Sequence, residues 1–173
     1  RLGLVIASIG MAFGFLMTNP TAQQLAAMDA GETVNFVGAH SVGVADGGPG
    51  LPFVGWSTEG GDLRIGHFIG MHALQVLPFL AIGLRRRSGT EHRQRGIVRI
   101  VAAGYLGLTL LVTWQALRAQ PLLRPDGITL VALVGLATAT VAALGVLHLR
   151  TSNDEIDAGV RSGSAIPVVA PQQ

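Results

Sequence analysis

Four stretches of the chain are predominantly apolar: 2–17, 63–84, 96–117 and 128–149. Each of the last three has 22 residues. As a helix that is about 33 Å, enough to cross a hydrocarbon core of about 30 Å. Runs of this length predict membrane helices rather than the core of a soluble domain. The first run reaches only about 24 Å. With Arg1 ahead of it, it also has the outline of a signal-peptide core. No small-x-small cleavage site follows it, and Met17-Thr18-Asn19-Pro20 reads as a helix exit, so a retained span is expected. Gly10 and Gly14 within it have the small-xxx-small spacing that lets helices approach closely.

Between the first and second spans the pattern changes. Asn19-Pro20 breaks the helix, and 21–29 can form a short interfacial one. Residues 31–61 are rich in Gly, Pro and small polar residues; Asp46-Gly47-Gly48-Pro49-Gly50-Leu51-Pro52 excludes regular helix or a central strand. Phe36, Phe53 and Trp56 are the aromatic anchors of this loop. Pro78 falls inside the second span and predicts a kink there. Past residue 150 the chain is polar and then low in complexity, so a disordered cytoplasmic tail over 151–173 is expected. The fold class that follows is all-α: an integral membrane four-helix bundle, with a long irregular extracytoplasmic loop over 18–62 between helices 1 and 2. Residues 1–150 form its single transmembrane domain.

Composition agrees with this and adds limits. Of 173 residues, 49% are hydrophobic and 13% charged, about half the charged share of a soluble domain. There is no Cys, which removes disulfides, thiolate ligands and a thiol nucleophile. All 12 basic residues are Arg, and the net charge is only +2, so nucleic acid is not an expected partner. The arginines sit beside apolar runs, where topology accounts for them. Loop 18–62 holds five acids and no Arg, whereas 85–95 holds five Arg and one Glu. Positive residues near span ends stay cytoplasmic. Loop 18–62 is then outside, with 85–95 and the C-terminus inside.

Candidate chemistry is concentrated where the loop enters the second span. Asp62 is placed to cap that helix, and Arg64, a cation on the outer side, calls for a partner such as Asp62, Glu59 or an anionic ligand. His67 and His72 are five residues apart, about 140° of helix rotation, so they do not form one ligating face. His72 lies about 14 Å deep. It reads either as a neutral interior histidine supported by Gln75 or as a ligand-binding or proton-handling group. The ligand-binding or polar cluster is thus Asp62, Arg64, His67, His72 and Gln75, with His72 and Gln75 expected in the bundle interior. His40, Asp46 and His67, with Asp62 beside them, are candidate ligands for a divalent metal such as Zn, Cu(II) or Mn. A haem is the other cofactor considered, with His67 opposite a loop ligand such as His40, or Met71 as a soft ligand. His148 lies at the far end of the fourth span, too distant in depth to pair with His72. A proton-coupled carrier would need a second buried ionisable group near His72, and the other spans offer none. No phosphate loop, nucleophile elbow or H-E-x-x-H motif is present, so no catalytic residue is assigned.

The segment Ala39-His40-Ser41-Val42-Gly43 … Asp46-Gly47-Gly48-Pro49-Gly50-Leu51-Pro52 … Gly55-Trp56-Ser57 … Gly61-Asp62-Leu63-Arg64 … His67-Phe68 … His72-Ala73-Leu74-Gln75 … Pro78 resembles a group of uncharacterised bacterial multi-pass membrane proteins. The resemblance covers residues 39–78. It implies a bacterial inner-membrane location and carries no activity. The expectation is a non-enzymatic membrane protein that binds a small ligand or partner at the outer half of the bundle. The alternative is a haem- or metal-binding redox protein using His67 and His72. Its partners are the lipid bilayer and a membrane protein or a second copy of the chain.

Overall fold

The computed structural model describes residues 1–86 and 90–163, the stretch 154–163 by its backbone alone. Five helices and one pair of short strands follow in order: α1 (Leu2–Thr18), α2 (Ala22–Asp29), β1 (Ser41–Val42), β2 (Gly61–Asp62), α3 (Leu63–Arg85), α4 (Glu91–Leu117) and α5 (Gly127–Gly163). Among the described residues, four long, apolar segments are able to cross a membrane: Leu2–Asp29, Leu63–Arg85, Glu91–Leu117 and Gly127–Asn153. The chain is therefore an all-α four-helix integral membrane protein in contact with lipid.

The helices pack in sequence, α1 on α3, α3 on α4 and α4 on α5. Small residues set the closest approaches. A Cβ on Gly10 would lie 2.6 Å from the Gly70 Cα, and one on Gly3 would lie 2.7 Å from the Ala73 carbonyl oxygen. Gly66 leaves room in the same way for Thr113 on α4. Inside a bilayer apolar side chains gain little by facing one another, so close packing of this kind carries helix association. Ile6, Ala73, Leu77 and Ala102 form the buried centre, with Tyr105 packed against it. The Tyr105 hydroxyl donates to the Ile69 carbonyl at 2.6 Å. The most apolar stretch of α5 has no buried residue; Val131 and Val141 on it are 73% and 68% exposed. That exposed apolar surface is what a lipid-facing helix presents.

The helix ends depart from the expected ones for identifiable reasons. Thr21 caps α2 in a reciprocal capping box with Gln24, which moves its start one residue on. Thr90 caps α4, its side chain accepting from Arg93 N–H. Glu91 and Arg95 then pair across one turn at 3.0 Å, so α4 begins at Glu91 rather than at 96. The polar stretch 91–95, expected in a loop, is its first turn. Helix α5 runs to Gly163 rather than ending at 149. Of the tail expected over 151–173, residues 151–163 continue α5, with no proline to interrupt the helix; residues 164–173 lie outside the described residues.

The loop between α1 and α3 is folded rather than wholly irregular. β1 and β2 pair antiparallel, Ser41 opposite Asp62 and Val42 opposite Gly61. A bridge between Gly50 and Ser57 closes a second turn. The Gln24 side chain both accepts from Gly38 N–H and donates to Gly38 C=O, each at 3.0 Å. Gly38, at φ +96°, rests against Met17 with no room for a Cβ. Gly61 sits as tightly on Ala116. The loop is thereby fixed to the same end of α1, α3 and α4.

Candidate functional site

Asp62 is the hub of that end. Its backbone continues β2, and its side chain caps α3, with Oδ1 accepting from Arg64 N–H at 3.0 Å. Oδ2 accepts from Ser57 N–H at 2.9 Å. The Arg64 guanidinium folds back onto the same carboxylate, with Nε 2.9 Å from Oδ1 and Nη2 2.6 Å from Oδ2. Arg64 Nη2 also donates to the Gly55 carbonyl at 2.7 Å. Asp62 itself is fully buried, and the Arg64 side chain is 34% exposed.

A second carboxylate stands beside it. Asp46 accepts from His40 N–H at 3.1 Å and Ser41 N–H at 2.8 Å. The His40 imidazole lies between the two acids, with Nδ1 3.4 Å from Asp46 Oδ1 and 3.8 Å from Asp62 Oδ1. The Ser41 hydroxyl is 3.2 Å from the same nitrogen. Burial pushes both carboxyls up. For Asp62 the Arg64 guanidinium and the Ser57 and Arg64 amides outweigh that push and hold it below its ordinary value. For Asp46 the Ser41 hydroxyl, two amides and the nearby imidazole do the same. Both are therefore ionised acceptors with their capacity largely used, which suits holding a loop and not abstracting a proton.

The groups left over face a small cleft of about 100 Å³, lined by His40, Ser41, Ser57 and Arg64 with the backbone of Gly47, Gly48 and Gly55. Arg64 Nη1 takes no part in the bonds above. With the Ser41 hydroxyl and the imidazole it makes a rim rich in donors.

At the same end Arg118 bridges α4 to α5. It donates to Asp126 at 2.6 Å and to the Thr129 hydroxyl at 3.1 Å, and its guanidinium stacks 4.5 Å from the Trp114 ring centroid. The Arg118 hydrogen bonds and the Thr129 amide hold Asp126 far below the usual carboxylate range. Gln115 donates to the Pro121 carbonyl at 2.8 Å, tying the turn to α4.

The structure thus brings Asp62 and Arg64 together with His40 and Asp46, and it separates the other candidates. His67 faces α1, not the loop: its Nδ1 is 2.9 Å from the Gly10 carbonyl oxygen, and the ring lies against Gly14. A carbonyl only accepts, so Nδ1 carries the proton. The proposed metal set of His40, Asp46 and His67 does not converge. Among the described residues no group of three or more His, Asp or Glu is arranged to hold a metal ion. His72 and Gln75 are exposed rather than interior, because Ala73 and Leu77 take the buried face of α3. His72 stacks on Phe68, ring centroids 4.0 Å apart, and Phe68 meets Trp56 edge-on at 5.7 Å. Rather than a ligand pair, the two histidines are a helix–helix contact and one end of an aromatic row on the outer surface of α3.

Ser41, Ser57 and the Gly55 carbonyl belong to the site without having been singled out from sequence. Only the β1–β2 pairing and the turn at 50–57 bring them to Asp62. Gly60-Gly61 ahead of a capping acid was the signal available, since such a pair permits close backbone approach. No protein family, curated protein or solved structure matches this chain, so the site rests on its own geometry.

Proposed function

We propose that the protein binds a small, acceptor-rich polar ligand, such as a carboxylate, at the loop-covered end of its bundle, and that it does so without catalysis. The supporting observation is Arg64. Its Nε and Nη2 are fixed on a buried carboxylate, while the side chain stays one-third exposed beside a cleft shared with His40 and Ser41. A guanidinium held this way has lost most of its rotamer freedom before a ligand arrives, so little further ordering opposes binding.

In this reading the cleft faces outward from a bacterial cytoplasmic membrane. Of the three arginines at the loop end, Arg64 and Arg118 are each paired with an acid, and Arg124 is exposed. At the opposite end the connection 85–95 carries five Arg against the single acid Glu91, the excess expected on the cytoplasmic side. A reporter active only in the cytoplasm, inserted within 87–89, should be active, and one fused into 47–48 should be silent. The reverse pattern sinks the orientation.

Binding is tested by titrating the purified protein with a panel of small carboxylates and neutral amides of the same size, read by Trp56 fluorescence in a Trp114→Phe background. Saturable binding of at least one carboxylate, absent from the neutral analogues and lost in Arg64→Gln, is expected. No saturable response across the panel, or an unchanged response in Arg64→Gln, overturns the assignment.

A further inference from the structure

The opposite end of the bundle holds a larger cavity, of about 260 Å³, where the first residues of α1 meet the end of α3 and the start of α4. Two kinds of wall meet in it. Arg85, Arg95 and Arg99 bring three guanidinium groups; Leu2, Leu84 and Val98 bring alkyl surface. Glu91 is the one acid, and it already pairs with Arg95 at 3.0 Å. That pair is largely exposed, at 68% and 81%, so it is weakly held and leaves Arg95 able to turn to a second anion. Arg85 and Arg99 have neither an ion pair nor a side-chain hydrogen bond among the described residues. Arg95 and Arg99 are one turn apart on α4, on the same face as Glu91. The N-terminus of α4 opens at the same place, capped by Thr90, and adds a partial positive charge.

We propose that this cavity binds one anionic phospholipid, its phosphodiester between Arg85 and Arg99 and its acyl chains along Leu2, Leu84 and Val98. Three features favour a lipid over a free anion. The site lies at the ends of three membrane-spanning segments, at the depth where headgroups lie. Leu2 in its alkyl wall is itself exposed on an apolar helix able to face lipid. Its volume exceeds that of a phosphate ion and suits a phosphate with its glycerol. Arginines flanking a gap between transmembrane helices are chemically matched to such a headgroup, the guanidinium forks taking the phosphate oxygens. The inference is independent of the carboxylate cleft, which lies at the other end of the bundle.

Native mass spectrometry of the intact, detergent-solubilised chain tests it, with phosphatidylglycerol and phosphatidylcholine added at equal concentration. A single preferentially bound phosphatidylglycerol is expected. Each arginine near a membrane surface is worth about fivefold in affinity for an anionic lipid, so Arg99→Gln should cut the preference about fivefold. Arg85→Gln/Arg99→Gln should nearly abolish it. Arg124→Gln, an exposed arginine at the far end, removes the same charge and should leave the preference intact. Equal binding of the two lipids overturns the proposal, as does an equal loss in Arg124→Gln. Inorganic phosphate at millimolar concentration should not displace the lipid; displacement would assign the site to a free anion instead. If the double variant does not fold, Arg99→Gln alone carries the test, and an unchanged preference there overturns the proposal.

Discussion

Arg64 turns back over the first turn of its own helix and places Nη2 2.6 Å from Oδ2 of the fully buried Asp62. The pair joins three things at once: the cap of α3, the 50–57 turn through Gly55 and Ser57, and the β1–β2 strands. Removing the charge at Asp62 leaves the guanidinium without its partner and the Ser57 amide with a weaker acceptor. Breaking a fully buried pair costs about 3–5 kcal/mol. Arg64 is one-third exposed and recovers some hydration, so Asp62→Asn should cost about 2–3 kcal/mol. Thermal unfolding in detergent should then move down by roughly 4–12 °C. A Tm unchanged to within a degree would show that the loop is held without this pair.

The two loop carboxylates also set the pH range of the loop. Asp46 and Asp62 are both held below their ordinary value of 3.8. A carboxyl depressed in the folded state stabilises that state fully above its unfolded value, and the contribution is lost as pH falls through the folded one. The contribution of these two groups should therefore be flat from neutral pH down to the ordinary carboxylate value and fall below it. Trp56, which touches Phe68 edge-on, reports on the loop. In a Trp114→Phe background its emission should stay constant between pH 7 and about pH 5 and change on further acidification. Asp62→Asn should show an altered emission already at neutral pH and a smaller acid step. A step centred well above the ordinary carboxylate value would assign the transition to some other group.

The spans were legible in the sequence because hydropathy over some twenty residues is a strong signal. The start of α3 was legible too, since Asp62 is a capping acid at the edge of an apolar run. What failed was the side of the helix. His72 and Gln75 were read as interior because polar residues in a bilayer usually face one another. In this chain Gly66, Gly70 and Ala73 face the neighbouring helices, since small size, not polarity, permits the close approach to Gly10 and Gly3. In a membrane both the inside and the outside of a bundle are apolar, so the periodicity of polar positions does not fix which face is buried. The loop site was half legible. Asp62 and Arg64 are local in sequence, whereas His40 and Asp46 reach them through a two-residue strand pair too short to leave a pattern.

The separate roles of the two histidines give opposite mutational outcomes. His67 donates from Nδ1 to Gly10 and fills the space beside Gly14. His67→Phe keeps a ring there but loses the donor, which should cost about 0.5–1.5 kcal/mol. His67→Ala also opens a gap between α1 and α3 and should cost more, about 2–3 kcal/mol. His72 is exposed, and its ring stacks on Phe68 of its own helix. His72→Phe keeps the stack and should change stability by less than about 0.5 kcal/mol. Unfolding curves for the three variants in one detergent decide this, and the order must be His67→Ala, His67→Phe, His72→Phe from most to least destabilised. His72→Phe as the most damaging change would return that residue to the interior.

The contact between Gly10 and Gly70 is the narrowest point between α1 and α3, and it separates helix propensity from packing. Alanine is a better helix former than glycine by about 1 kcal/mol, so in an open position the exchange should stabilise. Gly135 on α5 has nothing within 4 Å of where its Cβ would be, and Gly135→Ala should gain up to that amount. At Gly10 the new Cβ would fall 2.6 Å from the Gly70 Cα and 2.7 Å from its carbonyl carbon. Those are backbone atoms and cannot rotate away, so the helices must part. Separating them also lengthens the His67 bond to Gly10. Gly10→Ala should therefore lose about 1–3 kcal/mol despite its better propensity. Gly70→Ala should lose a similar amount, since its Cβ would meet the Gly10 Cα at 2.5 Å. The double variant Gly10→Ala/Gly70→Ala should be less than additive, because one separation of the helices relieves both clashes. Equal gains at positions 10 and 135 would mean that α1 does not rest on α3 at this glycine pair.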